Sequence, residues 1–202
     1  GEIFEKKSMR DQAVSYYQKS LSNNKNYVPA LINSGILLYE VKKFSESMKT
    51  LEQAIKLEPS NYKAHFYMGM LKKAENNFKG AIKHFDISVR DKDYKVRSLM
   101  EKGSMLMSSN KYDEAVIELE RAIKNIDDQK STLTLNTRYL LAYCYEQMRN
   151  ITEAIVQWEK IYAIKPDFKN VGEKLANYQD LRMDDRMKDF MTATNDEFLD
   201  IC

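Results

Sequence analysis

The chain is poor in cysteine, proline, glycine and histidine, and each scarcity excludes something. Its two cysteines, Cys144 and Cys202, make neither a disulfide framework nor a zinc-ligand spacing. Three prolines and six glycines in 202 residues leave little room for long flexible linkers. The two histidines, His65 and His84, stand nineteen residues apart with no H-E-x-x-H or C-x-x-C companion, so no metal centre is signalled. Neither a G-x-x-x-x-G-K-[ST] loop nor a G-x-G-x-x-G turn is present, so there is no phosphate cradle. No apolar run is long enough to span a membrane. Charge of one sign is also missing: 32 Lys and Arg are interspersed with 30 acids, which forms no phosphate-tracking stripe and argues against a nucleic-acid partner. Catalysis would need convergent polar groups, and none assemble, so an enzyme is not expected, nor any cofactor.

What the chain does have is a period. Gly35, Gly69 and Gly103 recur every 34 residues. Twelve residues beyond each comes a small residue (Ser47, Ala81, Ala115), and four further a large apolar one (Leu51, Phe85, Leu119). Three beyond that a small one returns (Ala54, Ser88, Ala122), while an aromatic stands nine after each Gly (Phe44, Phe78, Tyr112). This describes a helical hairpin in which Gly lets one helix approach its partner and the aromatic fills the space near the turn. Glu75-Asn76-Asn77 and Ser108-Ser109-Asn110-Lys111 are the expected turns. Stacked units of fixed period bury their apolar faces against one another.

The pattern resembles that of the tetratricopeptide repeat (TPR) family. One unit reads Leu31, Ser34-Gly35, Leu38, Ser47, Leu51, Ala54, Pro59, and the next His65, Met68-Gly69, Ala81, Phe85, Ser88. A third reads Leu99, Gly103, Leu106, Ala115, Leu119, Ala122, and a fourth Leu141-Ala142, Tyr145, Ala154, Trp158, Ile161, Pro166. Ser47 in place of Ala, and the missing Pro after two units, are departures. Ala142 follows Gly103 by 39 residues, so about five are inserted around Asp127–Thr134. The resemblance implies an all-α, right-handed superhelical solenoid of antiparallel helix pairs. Its divisions are a truncated first unit at 1–26, full units at 27–60, 61–94, 95–128 and 129–166, a capping helix at 167–182 and a helical tail at 183–202. Ala13, Tyr17 and Ser20 carry what survives of the first unit. His65 is expected in the interior, His84 at the surface, and Cys144 as a buried thiol.

In the TPR family the first helix of each pair lines a concave groove. The resemblance implies groove positions at Ile32, Ile36 and Tyr39; at Lys63, Phe66, Met70 and Lys73; at Arg97, Met100, Ser104 and Met107; and at Asn136, Tyr139, Tyr143 and Glu146. Solvent-facing aromatics and methionines at such positions call for something to cover them. Some TPR domains clamp a C-terminal carboxylate with Lys, Asn and Arg at set positions. Here Lys63, Arg97 and Asn33 fit singly, and the set does not assemble. The expected ligand is instead an amphipathic helix or extended apolar segment of a partner protein.

The tail from Asp167 to Arg186 is similar to tails of bacterial TPR proteins, some of which build periplasmic flagellar collars while others continue into nuclease-like domains. The resemblance implies a scaffold or adaptor, with assembly of a flagellar or envelope complex as one role. The alternative is a non-catalytic binding arm of a larger enzyme. Self-association through exposed end repeats is a further expectation. The compartment, cytoplasm or periplasm, stays open. Residues 173–202 hold eight acids against four bases, as a solvated cap would. A short helix is expected at Asp184–Met191 and a helix start at Thr194, and both ends read as truncated.

Overall fold

The computed structural model describes residues 2–178, and all of its regular structure is helical. Helix α1 (Glu2–Asn23) precedes α2 (Val28–Glu40), α3 (Phe44–Leu57), α4 (Tyr62–Ala74), α5 (Phe78–Ser88) and α6 (Lys92–Ser108). Then come α7 (Tyr112–Lys124), α8 (Thr132–Gln147) and α9 (Ile151–Tyr162). A final helix, α10, covers residues 171–178. The chain forms two compact units that divide after Lys111.

The turns inside the hairpins have one construction. Lys42, Asn76, Asn110 and Arg149 all have positive φ, between 57° and 63°, and each lies seven residues beyond Gly35, Gly69, Gly103 or Ala142. The residue after each returns its N–H to the preceding helix: Lys43 to Leu38, Asn77 to Lys72, Lys111 to Leu106 and Asn150 to Tyr145, at 2.8–2.9 Å. This left-handed closure satisfies carbonyls at a helix end, and Asn accepts it at low cost. The next helix often starts at once: Asn77 and Asn150 accept from the backbone N–H of Gly80 and Glu153.

The small residues act as the spacing requires. A Cβ built on Gly35 would lie 2.6 Å from Leu51 Cγ, and one on Gly69 would lie 2.7 Å from the Phe85 ring. Only a missing side chain permits that approach of α2 to α3 and of α4 to α5. Ser47 in place of Ala is explained too, because its buried hydroxyl donates to the Gly35 carbonyl at 2.7 Å.

Within the N-terminal unit, Leu31, Leu51, Ala54, Met68 and Leu71 form one core cluster, and Phe66, Ala81, Phe85 and Met105 another. In the C-terminal unit Trp158 is fully buried among Leu135, Ala142, Ala154, Ile161, Phe168 and Val171. The extra residues before α8 form a closed turn in which Thr134 Oγ1 donates to the Asp128 carbonyl at 2.7 Å. Helix α1 is continuous, so the first unit contributes a single helix. The capping helix begins at residue 171, after a turn at 166–170, while the expected helices at 184–191 and from Thr194 lie outside the described residues.

Candidate binding face

The first helices of the hairpins, α2, α4, α6 and α8, carry the sequence-predicted groove residues. Neighbouring helices are tied by rungs spaced 28 residues apart: Tyr39 with Tyr67 and Lys73 with Glu101 within the N-terminal unit, and Glu146 with Lys174 within the C-terminal unit. The two rings meet edge-on at 5.7 Å, and the two ion pairs are 2.5 and 2.6 Å long. Lys63 Nζ also donates to Asn33 Oδ1 at 3.2 Å.

These contacts correct part of the expected groove. Ile36 and Phe66 are core residues, only 8% and 7% exposed. Ile36 packs in the cluster of Leu31 and Leu51, and the Phe66 ring contacts Tyr67, Phe85 and Tyr94 at 5.3–5.8 Å between centroids. Ile32 is buried as well. Tyr139 is half-buried and already engaged: its hydroxyl donates to Asn170 Oδ1 at 2.8 Å, and Lys169 Nζ lies 3.9 Å above its ring. Glu146 accepts from Lys174 Nζ and from the Tyr178 hydroxyl. The expected cations Lys63 and Lys73 are likewise taken up by the face's own rungs.

What remains accessible is narrower. In the N-terminal unit Tyr39, Met70, Met100 and Met107 are half-buried and Arg97 is exposed. Tyr67 and Tyr94, which the groove positions did not include, join them. Burial raises the hydroxyl pKa of Tyr39, Tyr67 and Tyr94 above the ordinary 10, which keeps all three as proton donors at neutral pH. A cavity of about 660 Å³ opens beside Tyr94 at the α3–α4 and α5–α6 turns, lined also by Lys63, Glu58, Asp91 and Asp93. In the C-terminal unit Tyr143 is 38% exposed and meets Tyr112 edge-on at 6.4 Å.

The histidines behave differently from the sequence expectation. His65 is interior, as expected, but His84 is not a free surface residue: its Nδ1 lies 2.8 Å from His65 Nδ1. His65 Nε2 lies 2.9 Å from the Pro59 carbonyl, which can only accept. That carbonyl fixes the pair: His65 donates from Nε2 and accepts at Nδ1 from the N–H of His84. Burial, then His65, then Lys72 push the His84 pKa down to about 4, and burial lowers that of His65. Two such groups do not make a metal site, and no cluster of three metal-ligating side chains exists among the described residues. Cys144 is buried, its thiol pushed up to about 12, and so it is not a nucleophile. Among the described residues, no helix is long and apolar enough to cross a membrane.

A family model of the tetratricopeptide repeat matches residues 28–61, 96–128 and 135–168, half of the chain. The chain belongs to the tetratricopeptide repeat family. Its TPR fold is shared with solved structures of low identity. A structure of MamA is 18% identical with a TM-score of 0.70, covering 86% of this chain and 95% of that one. MamA from Desulfovibrio magneticus RS-1 is 14% identical with a TM-score of 0.69, covering 83% of this chain and 92% of that one. YrrB, described as a TPR protein with an unusual peptide-binding site, is 19% identical with a TM-score of 0.64, covering 77% of each chain. No curated protein sequence matches the chain. TPR proteins are protein-interaction scaffolds, whereas nothing among these neighbours supports the flagellar-collar type.

Proposed function

We propose that this TPR protein is a non-catalytic scaffold that holds a helical or extended peptide segment of a partner protein against its first-helix face. The observation that carries the reading is the row of Tyr39, Tyr67, Met70, Tyr94 and Met100 beside the exposed Arg97 in the N-terminal unit. Tyrosine and methionine offer large, adaptable contact area, and the hydroxyls and guanidinium add directional donors. Tyr143 offers the same chemistry on the C-terminal unit by itself. The peptide-binding site named for YrrB is consistent with this use of the fold.

Selection from a displayed random-peptide library, followed by titration of the enriched peptides, tests it. Met70→Ala with Arg97→Ala should weaken binding by about thirtyfold, equivalent to about 2 kcal/mol, without loss of helicity. Peptides that bind the double variant and the native chain equally would refute the face as the binding surface. Failure to enrich any peptide would refute the peptide-scaffold reading.

A further inference from the structure

Half-buried tyrosines of the two units differ in what their hydroxyls do. In the C-terminal unit Tyr139 donates to Asn170, Tyr145 to Glu120 and Tyr178 to Glu146. In the N-terminal unit Tyr39, Tyr67 and Tyr94 are half-buried as well, but among the described residues no hydrogen bond holds their hydroxyls. A phenol in such a partly covered place ordinarily finds a partner. Arg97, exposed three residues beyond Tyr94, is held by no ion pair among the described residues either. Its guanidinium lies close enough to act on both Tyr67 and Tyr94.

The rings beneath these hydroxyls are continuous. Tyr39 meets Tyr67 edge-on at 5.7 Å, and Phe66 bridges Tyr67 and Tyr94 at 5.4 and 5.3 Å between centroids. Tyr39 and Tyr67 thus form one aromatic ledge and Tyr94 the next, on α2, α4 and α6, which pack in that order. Helices packed side by side stand about 8–10 Å apart. A polyproline II helix completes a turn every three residues, or about 9 Å. One turn of such a segment carries a side chain from one ledge to the next.

Hydrogen bonding favours the same ligand. The face offers donors, the tyrosine hydroxyls and Arg97, while Lys63 and Lys73 already take up Asn33 and Glu101. An α-helical ligand spends its carbonyls on its own backbone and would leave these donors unanswered. A polyproline II segment has no internal hydrogen bonds, so its carbonyls are free to accept. Each proline also lacks the N–H that would need an acceptor from the face. Such a segment is extended before it binds, so little ordering cost opposes its docking on aromatic rings.

We propose that the segment held by the N-terminal unit is proline-rich and in the polyproline II conformation. Prolines three apart rest on the Tyr39–Tyr67 ledge and on Tyr94, and the carbonyls between them accept from the tyrosine hydroxyls and Arg97. This rests on the peptide-scaffold reading and narrows its ligand. Fluorescence anisotropy tests it with three dye-labelled peptides: repeated Pro-Pro-Ala, repeated Gly-Gly-Ala, and an amphipathic helix of Leu, Ala and Gln. The Pro-Pro-Ala peptide should bind at least about tenfold more tightly than either control. Tyr39→Phe/Tyr67→Phe/Tyr94→Phe keeps the rings and the helicity, and should weaken that peptide by about tenfold or more through the lost hydroxyls. Equal binding to the native chain and the triple variant would overturn the proposal. Tighter binding of the helical peptide would overturn it while leaving the scaffold reading intact. So would binding of none of the three by a chain that still enriches peptides from the random library.

Discussion

The hairpins α4–α5 and α8–α9 meet one packing problem with different chemistry. Four residues before the small residue of the first helix, α2 and α6 place Leu31 and Leu99, both buried. At that position α4 has His65 and α8 has Arg138, and each bonds a residue nineteen further on in the second helix, His84 or Gln157. The imidazole pair uses both nitrogens of His65, through His84 and the Pro59 carbonyl. Arg138 reaches Gln157 and Gln129 at 3.0 and 2.9 Å, but its Nε–H is buried without a partner, and burial lowers its pKa. A polar side chain at an apolar position is supported only as far as its polar atoms are paired. The small residues differ as well, Gly69 facing Phe85 in one hairpin and Ala142 sharing a core with Trp158 in the other.

The largest expected effect removes what both hairpins share. Phe85→Ala and Trp158→Ala should each cost about 3–5 kcal/mol in urea denaturation, since both side chains are fully buried. A cost below about 1 kcal/mol in either would mean that its hairpin is not held by the large residue of the second helix.

Acid should separate the two hairpins next. The unfolded chain binds protons on ordinary imidazoles near 6.5, whereas folded His84 resists protonation until about 4. Stability is therefore full above about pH 6.5 and falls as pH drops through 6.5 toward 4, by about 1–2 kcal/mol once solvent screening of the half-buried ring is counted. Protonating both rings would also turn N–H against N–H. Denaturation midpoints across this window should lose most of their slope in His65→Leu/His84→Leu and keep it in Arg138→Leu. An unchanged slope in the double variant would place the acid sensitivity elsewhere.

A smaller effect distinguishes the two small residues. Gly69→Ala brings a Cβ within 2.7–2.9 Å of three Phe85 ring atoms and should cost about 1–3 kcal/mol despite the better helix propensity of Ala. Ala142→Gly should cost about 1–2 kcal/mol through backbone entropy and the loss of a buried methyl. A Gly69→Ala variant more stable than the native chain would contradict the close approach of α4 to α5.

The smallest change is expected at Arg138. Leucine there matches Leu31 and Leu99 and removes a buried unpaired N–H, which offsets part of the cost of stranding the buried Gln157 Oε1, so Arg138→Leu should cost less than about 1 kcal/mol. His65→Leu alone strands the donor of His84 and should cost about 1–3 kcal/mol. Equal costs for the two substitutions would erase the distinction between a satisfied pair and an unsatisfied one.

The hairpin register was legible because its determinants are local. Gly35, Leu51 and Ala54 stand at fixed offsets, and so do the turn residues Asn76 and Asn110, each needed by a contact within one unit. Face membership was legible too, since Tyr39, Met70 and Tyr143 follow helical periodicity. Depth was not. Phe66 and Ile36 share that periodicity but are covered by residues from elsewhere in the array: the Phe66 ring by Tyr94, and Ile36 by its place in the core of Leu51 and Met68. The residues at 166–170 that engage Tyr139 carry no signature of their own; Lys169 is simply placed above the ring by a turn with positive φ.

By itself, then, the sequence determined the all-α TPR class, the helix pairs and the positions of closest approach, because each follows from contacts repeated at short, constant separations. Tertiary structure decided which groove residues stay open, that Lys73 and Glu146 serve as rungs, and that two histidines in separate helices share a proton-donating contact. Those outcomes depend on how far one helix slides over its neighbour, a distance of a few ångströms that periodicity does not encode.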